Sequence, residues 1–270
     1  MVYIGKNGKA ASASAIKIGD ENGKAANVVG GWVGDENGKA RRIWSLDRPM
    51  WKFTCQNGVN LHVSGSGLAI DYGDGARENI GVQLYDYHVS HAYADTEPHQ
   101  VTLYGVLSDM LFWHNDEEPA KNYLLSVDTP FPENRITSFT FTFQNCTSLA
   151  SIPTGLFDNC PNVTDFNSAF DGCASLTSIP GGLFDNCTEV TSFSSTFQNC
   201  TSMASIPTGL FDNCTAVIRF DYVFSDCRAI TSAVPELWDT TKWPNVTAHT
   251  ACFFNCTNAA NYADIPAGWK

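Results

Sequence analysis

From Cys146 to Cys227 the cysteines of this 270-residue chain step by 14, 13, 14, 13, 14 and 13 residues. Two half-units therefore alternate in a 27-residue period, one reading "VTSFSSTFQNCTS" and the other "LTSIPGGLFDNCTE". Other apolar positions keep the same step. Ile136, Val163, Val190, Val217 and Val246 stand ten residues before a cysteine, and Phe143, Phe170, Phe197, Phe224 and Phe253 stand three before. Leu156, Leu183, Leu210 and Leu237 recur every 27 residues, as do Phe157, Phe184, Phe211 and Trp238. A unit of that size cannot bury its own apolar face, so columns this regular require each unit to stack on the next.

A cysteine repeated in such a column is expected to be packing, because a free thiol behaves as a small hydrophobe with a weak S–H donor. A disulfide ladder is the alternative. Paired strands lie about 4.8 Å apart, which does not forbid bridging, but side chains of one column point the same way instead of at each other. Zinc sites want two convergent Cys-x-x-Cys-type pairs; Cys252 and Cys256 have such spacing without a second pair. The last unit departs from the pattern: Thr241 stands where a cysteine is due, Cys227 to Cys256 measures 29 residues, and His249 replaces a Phe. These departures read as a cap on the stack.

The repeat "LTSIPGGLFDNCTEVTSFSSTFQNC" resembles the BspA-like leucine-rich repeats of bacterial surface proteins, with their Leu-x-x-Ile-Pro and Phe-x-x-Cys hallmarks, over roughly residues 124–266. The resemblance implies an extracellular, adhesive role without catalysis. Before it, "IDYGDG" followed by "SHAYA" and "VTLYG" is similar to PKD-like immunoglobulin-type domains, with Tyr72 where that family usually carries Trp. Alternation and turn clusters in this part suggest a small antiparallel sandwich. The first 48 residues carry "YIGKNGKA", "KIGDENGKA" and "WVGDENGKA", with Asn7-Gly8, Asn22-Gly23 and Asn37-Gly38 as hairpin-turn signals. This segment looks like the leading segments of bacteriophage tail and other virion structural proteins. The expected fold is therefore multidomain: a small β module for attachment or oligomerisation at 1–48, an immunoglobulin/PKD-like β-sandwich at 49–109, and a leucine-rich-repeat solenoid of 27-residue units with caps at 110–270.

Charge narrows the partners. The formal net charge is −12, divided as +3 over residues 1–48, −5 over 49–109 and −10 over 110–270. The bulk of the chain should repel phosphate backbones and anionic lipid, so neither nucleic acid nor a membrane surface is expected as partner. No run approaches 18 apolar residues, so no membrane insertion is expected. The opening "MVYIGKNGKAASASAIKIGDENGKA" shows no apolar signal-peptide core. Either an export signal was removed, or the protein leaves its cell without one.

Chemistry-bearing clusters are few. Asp71 and Asp74 are the nearest approach to a paired-carboxylate site, but Asp-x-Gly-Asp-Gly also describes an ordinary turn or a calcium loop. His88 and His91 would fall on opposite faces of a strand. Asn145, Asn186, Asn199, Asn213 and Asn255 each precede Cys-Thr in step with the repeat, which suits corner residues that satisfy backbone groups. "GSGLA" at 65–69 reads as a turn. No enzyme, cofactor or metal is expected.

What remains is a binding surface. Outward columns eight and six residues before each odd cysteine are small and polar, except at "VIRFDYVF", where Arg219, Asp221 and Tyr222 come together with Trp238 and Trp243 just beyond. Charged and aromatic residues on one face are typical of binding hot spots. The expectation is a virion structural protein of a bacteriophage, as head fibre, decoration or tail-fibre adhesin. The amino-terminal module would meet other virion proteins, and the repeats would meet a host-surface glycan or protein. A homo-oligomer is expected, with three copies the natural number. The alternative is a bacterial cell-surface adhesin, and a more distant one a polysaccharide-processing enzyme acting through Asp71 or Asp74.

Overall fold

The structure, a computed structural model, describes residues 50–112 and 123–270 throughout, and before them only the strand residues 18–19, 25–26, 31–34 and 40–43. Residues Met1–Pro49 form one unit and Met50–Lys270 a second. In the first, β1 (Ile18–Gly19) pairs antiparallel with β2 (Ala25–Ala26), and β3 (Gly31–Gly34) with β4 (Ala40–Ile43). These pairs flank Asn22-Gly23 and Asn37-Gly38; the Asn7-Gly8 unit lies outside the described residues.

The second unit begins with strict alternation. In β5 (Met50–Cys55), Trp51, Phe53 and Cys55 are buried while the residues between them are not, as a one-faced strand requires. β6 (Gly58–Asp71), β7 (Arg77–Ala92) and β8 (His99–Phe112) are long, and β9 (Leu124–Val127) is short. They form a single sheet in the order β7-β6-β8-β5-β9, with every neighbouring pair antiparallel. The expected turn at 65–69 is instead an irregularity within β6, where the register with β7 and β8 shifts. Gly65 has φ +153° and its backbone lies so close to β8 that a Cβ would overlap the Val106 carbonyl.

From Asp128 onward the described chain has no α-helix and no extended strand; it consists of turns joined by isolated parallel bridges. The bridges run Ser138–Asp165–Ser192–Arg219–Ala248, preceded by Ser126–Ser151. Backbone bonds such as Phe166 N–H to Ser192 O (3.0 Å) and Phe193 N–H to Arg219 O (3.0 Å) tie each turn to the next. Inside, Phe143, Phe170, Phe197, Phe224 and Phe253 stack at 5.0, 5.4, 5.6 and 5.8 Å between ring centroids. Phe139, Phe166, Phe193 and Phe220 form a parallel row, and Phe157, Phe184 and Phe211 wedge against both rows. Two 3-10 turns, Tyr262–Asp264 and Ala267–Trp269, close the end, with Trp269 stacked on His249 at 4.2 Å.

The multidomain expectation is thereby corrected. There is one five-stranded antiparallel sheet in place of a two-sheet sandwich, and the turns that follow are not a separate leucine-rich-repeat solenoid. β8 runs straight through the expected 109/110 boundary, and β9, from the far side of it, pairs with β5. Trp51 stacks on Phe131 at 4.8 Å and reaches Phe143 at 6.5 Å, so sheet and turns share one core from Trp51 to Trp269. The physical reason is that a one-sided sheet of this kind needs a cover. The first turns supply it: Phe112 N–H bonds Thr142 O and Arg135 N–H bonds Leu107 O.

Candidate functional site

The outward side of the bridge row is built by alternation. Phe139, Phe166, Phe193 and Phe220 point into the core, so the residues on either side of each point out. Along most of the row these are hydroxyls, an amide and the Asp165 carboxylate, closing on themselves. Ser138 Oγ bonds Thr140 Oγ1 at 2.8 Å, Asp165 accepts from Asn167 N–H at 2.7 Å, and Ser192 Oγ lies 3.3 Å from Ser194 Oγ.

The fourth turn breaks this pattern. Arg219 Nη2 lies 2.9 Å from Asp221 Oδ2 as an ion pair, without the alignment of a hydrogen bond. Asp221 is only 7% exposed, and its Oδ1 accepts from Thr250 N–H at 2.9 Å. Arg219 Nε reaches back to Ser194 Oγ at 3.4 Å, so the guanidinium spans two turns. Beside this pair Tyr222 is 40% exposed at φ +56°. The left-handed region disfavours a bulky side chain. Ser168, Ser195 and Ala251 occupy the same place in other turns, while the first turn carries Phe141 there, at φ +61° and 42% exposed. Ile218 and Phe254 are also exposed, the latter 47%. The result is a charge pair fixed on two turns, with exposed apolar side chains at Ile218 and Tyr222 next to it in the chain and at Phe254 in the following turn.

The two tryptophans expected with this group go elsewhere. Trp243 is buried edge-on against Phe220 at 5.4 Å, continuing the Phe wedge, and Trp238 meets Phe253 and Trp269 at 6.2 and 6.5 Å. The structure thus joins Arg219, Asp221 and Tyr222 and assigns Trp238 and Trp243 to the closing core. Phe254 was missed, although it interrupts a column of Gln144, Asp171, Gln198 and Ser225.

The other clusters are committed locally. Asp71 Oδ1 accepts from Gly73 N–H at 3.1 Å and its Oδ2 pairs with Arg77 at 2.7 Å. Asp74 accepts from Ala76 N–H at 2.9 Å and from His91 at 2.7 Å, contacts that hold its carboxyl below the usual carboxylate range. His91 stacks on Tyr72 at 4.1 Å while His88 stacks on His62 at 4.8 Å, on the two faces that strand alternation separates. Among the described residues no three His, Cys, Asp or Glu side chains gather to hold a metal ion. No helix among them is long and apolar enough to cross a membrane.

All ten cysteines are buried free thiols. Sγ of Cys173, Cys200, Cys227 and Cys256 donates to the carbonyls of Phe143, Phe170, Phe197 and Phe224 at 3.2, 3.3, 3.0 and 3.0 Å, each in the preceding turn. Burial raises their pKa values, so they are poor nucleophiles. Comparison with family models, with curated proteins and with solved structures returns no match to this chain.

Proposed function

We propose that this chain is a non-catalytic structural protein of a bacteriophage particle that holds its stacked turns toward the host surface. The observation that carries this reading is the outward row of bridged turns over a stacked phenylalanine core, with the Arg219–Asp221 pair and exposed Tyr222 in its fourth turn and exposed Phe254 in the next. An ion pair held by Thr250 N–H beside the exposed ring of Tyr222 is a pre-organised contact of the kind that dominates interfaces. The buried thiols fit a chain that folds in a reducing cytoplasm and leaves by lysis. The amino-terminal hairpin unit attaches to the particle and assembles the chain as a homo-oligomer, three copies being the working number.

Competition for adsorption tests this directly. Purified protein should saturate host cells and lower phage adsorption, and Tyr222→Ala or Arg219→Ala should weaken that competition at least tenfold. A chain that neither labels the particle by immunogold nor competes for adsorption would refute the reading. Light scattering on the eluting protein should give a multiple of the 29.5 kDa protomer mass.

A further inference from the structure

A cavity of about 340 Å³ opens between the turn at 206–212 and the turn at 233–243. Its origin lies in three simultaneous breaks of the repeat. Asn159, Asn186 and Asn213 each donate Nδ2 to a carbonyl of the preceding turn, those of Phe131, Asp158 and Asp185, at 2.9, 3.2 and 3.3 Å. The next position is Thr240, which has no amide to give. Cys187 and Cys214 are followed in their column by Thr241, whose hydroxyl turns to Asp239 at 2.6 Å. Gly155, Gly182 and Gly209, at φ +68°, +71° and +75°, are followed by Glu236, which is not left-handed. These three features are missing where the cavity lies, and the turn is tied to the one before it by Lys242 Nζ on Asp212 (2.6 Å) and Asn245 Nδ2 on the Thr215 carbonyl (3.3 Å) instead.

The apolar lining that solvent reaches is Pro207, Ala233 and Pro235, set over buried Leu210, Phe211, Leu237 and Trp243. Its rim is acidic. Lys242 Nζ is engaged with Asp212 at 2.6 Å, and Asp239 accepts from both Thr241 N–H and its hydroxyl, which hold its carboxyl below the usual range. Glu236 is exposed and takes no side-chain hydrogen bond or ion pair among the described residues. Three carboxylates face one ammonium.

We propose that this cavity binds a single pyranose unit, neutral or carrying an ammonium, at the end of a host-surface glycan; this rests on the host-binding reading above. The volume is at the lower end of the roughly 300–1,000 Å³ typical of small-ligand sites, which suits one ring and not a chain. The faces of Pro207 and Pro235 receive the C–H face of the ring, and carboxylates are acceptors that take hydroxyl or ammonium donors. The same rim repels uronic acids, sialic acids and phosphorylated sugars.

The test is an array of neutral, amino-bearing and acidic glycans probed with the full chain and three variants. Ala233→Trp fills the cavity mouth, Glu236→Gln removes the free charge at an exposed position, and Tyr222→Ala alters the outward row only. Binding confined to neutral or amino-bearing glycans, reduced at least tenfold by Ala233→Trp and measurably by Glu236→Gln but not by Tyr222→Ala, is the expected result. No binding on the array, a preference for acidic glycans, or indifference to both cavity variants would overturn it. If cell adsorption falls with Tyr222→Ala and ignores the cavity variants, the cavity inference fails while the host-binding reading stands. If array binding behaves as expected but cells do not adsorb the protein, the host-binding reading fails and the cavity stands.

Discussion

Mild alkali should unfold this protein. Burial pushes Cys160, Cys214 and Cys256 up to about 12. It also holds Cys55, Cys173, Cys187, Cys200, Cys227 and Cys252 high. In an unfolded chain a thiol titrates near about pH 8.5. Above that pH the unfolded state has released protons that the folded state still holds, so stability falls as pH rises. The contribution is fully present below about pH 8.5 and is lost progressively as pH climbs toward the folded values. One unit above about pH 8.5, each thiol has cost on the order of 1 kcal/mol. For these nine thiols together that is on the order of 10 kcal/mol, comparable to the whole stability of a typical domain, about 5–15 kcal/mol. The assay is urea unfolding by tryptophan fluorescence, under argon with reductant, from about pH 7.5 to about pH 10. The midpoint should drop steeply above about pH 8.5 and recover on back-titration. In parallel, a thiol reagent should find no reactive cysteine in the native protein near neutrality and all ten after unfolding without reductant. A midpoint unchanged to about pH 10, or thiols that react while the fold is intact, would refute the reasoning.

Three further outcomes are expected. Phe197→Ala, which removes a fully buried ring stacked between Phe170 and Phe224, should cost about 3–5 kcal/mol in denaturant unfolding. Gly182→Ala should destabilise by about 1 kcal/mol or more, because φ is +71° and the new Cβ meets Asp185 Oδ2 at 2.8 Å; Gly181→Ala, next to it in open space, should be neutral or gain about 0.4–1 kcal/mol. Tyr222→Gly should raise the melting temperature by relieving about 1–2 kcal/mol of left-handed strain, while abolishing cell adsorption.

The period of the turns could be seen in the chain because identical neighbours impose identical side chains: every stacked Phe and every thiol donor occupies a column legible by counting. The outward group Arg219, Asp221 and Tyr222 was visible as a break in bland columns, and Phe254 and Glu236 were visible by the same logic. The tryptophans misled because a large ring at the end of a stack is as useful for closing a core as for meeting a ligand. The single sheet was hidden for another reason. β6, β7 and β8 run 14, 16 and 14 residues, well beyond the usual strand of about 5–6, and their internal glycines imitate turns. Alternation in one covered sheet is also the same as alternation in a sandwich, so only the partner distinguishes them, and that partner begins after Val127.

The hydrogen bonds between turns join residues about 27 positions apart with the same groups each time, as in Thr191 N–H to Thr164 O and Thr164 N–H to Thr137 O. Such a contact is blind to which copy it meets. Excising residues 174–200 would bring Cys173 directly before Thr201 and present the surviving turns with a surface they already match; a shortened chain that still melts cooperatively would show it. The number of turns is therefore a heritable quantity that changes in whole steps. Recombination between near-identical gene segments can add or remove whole turns without altering the sheet that opens the unit or the turns that close it.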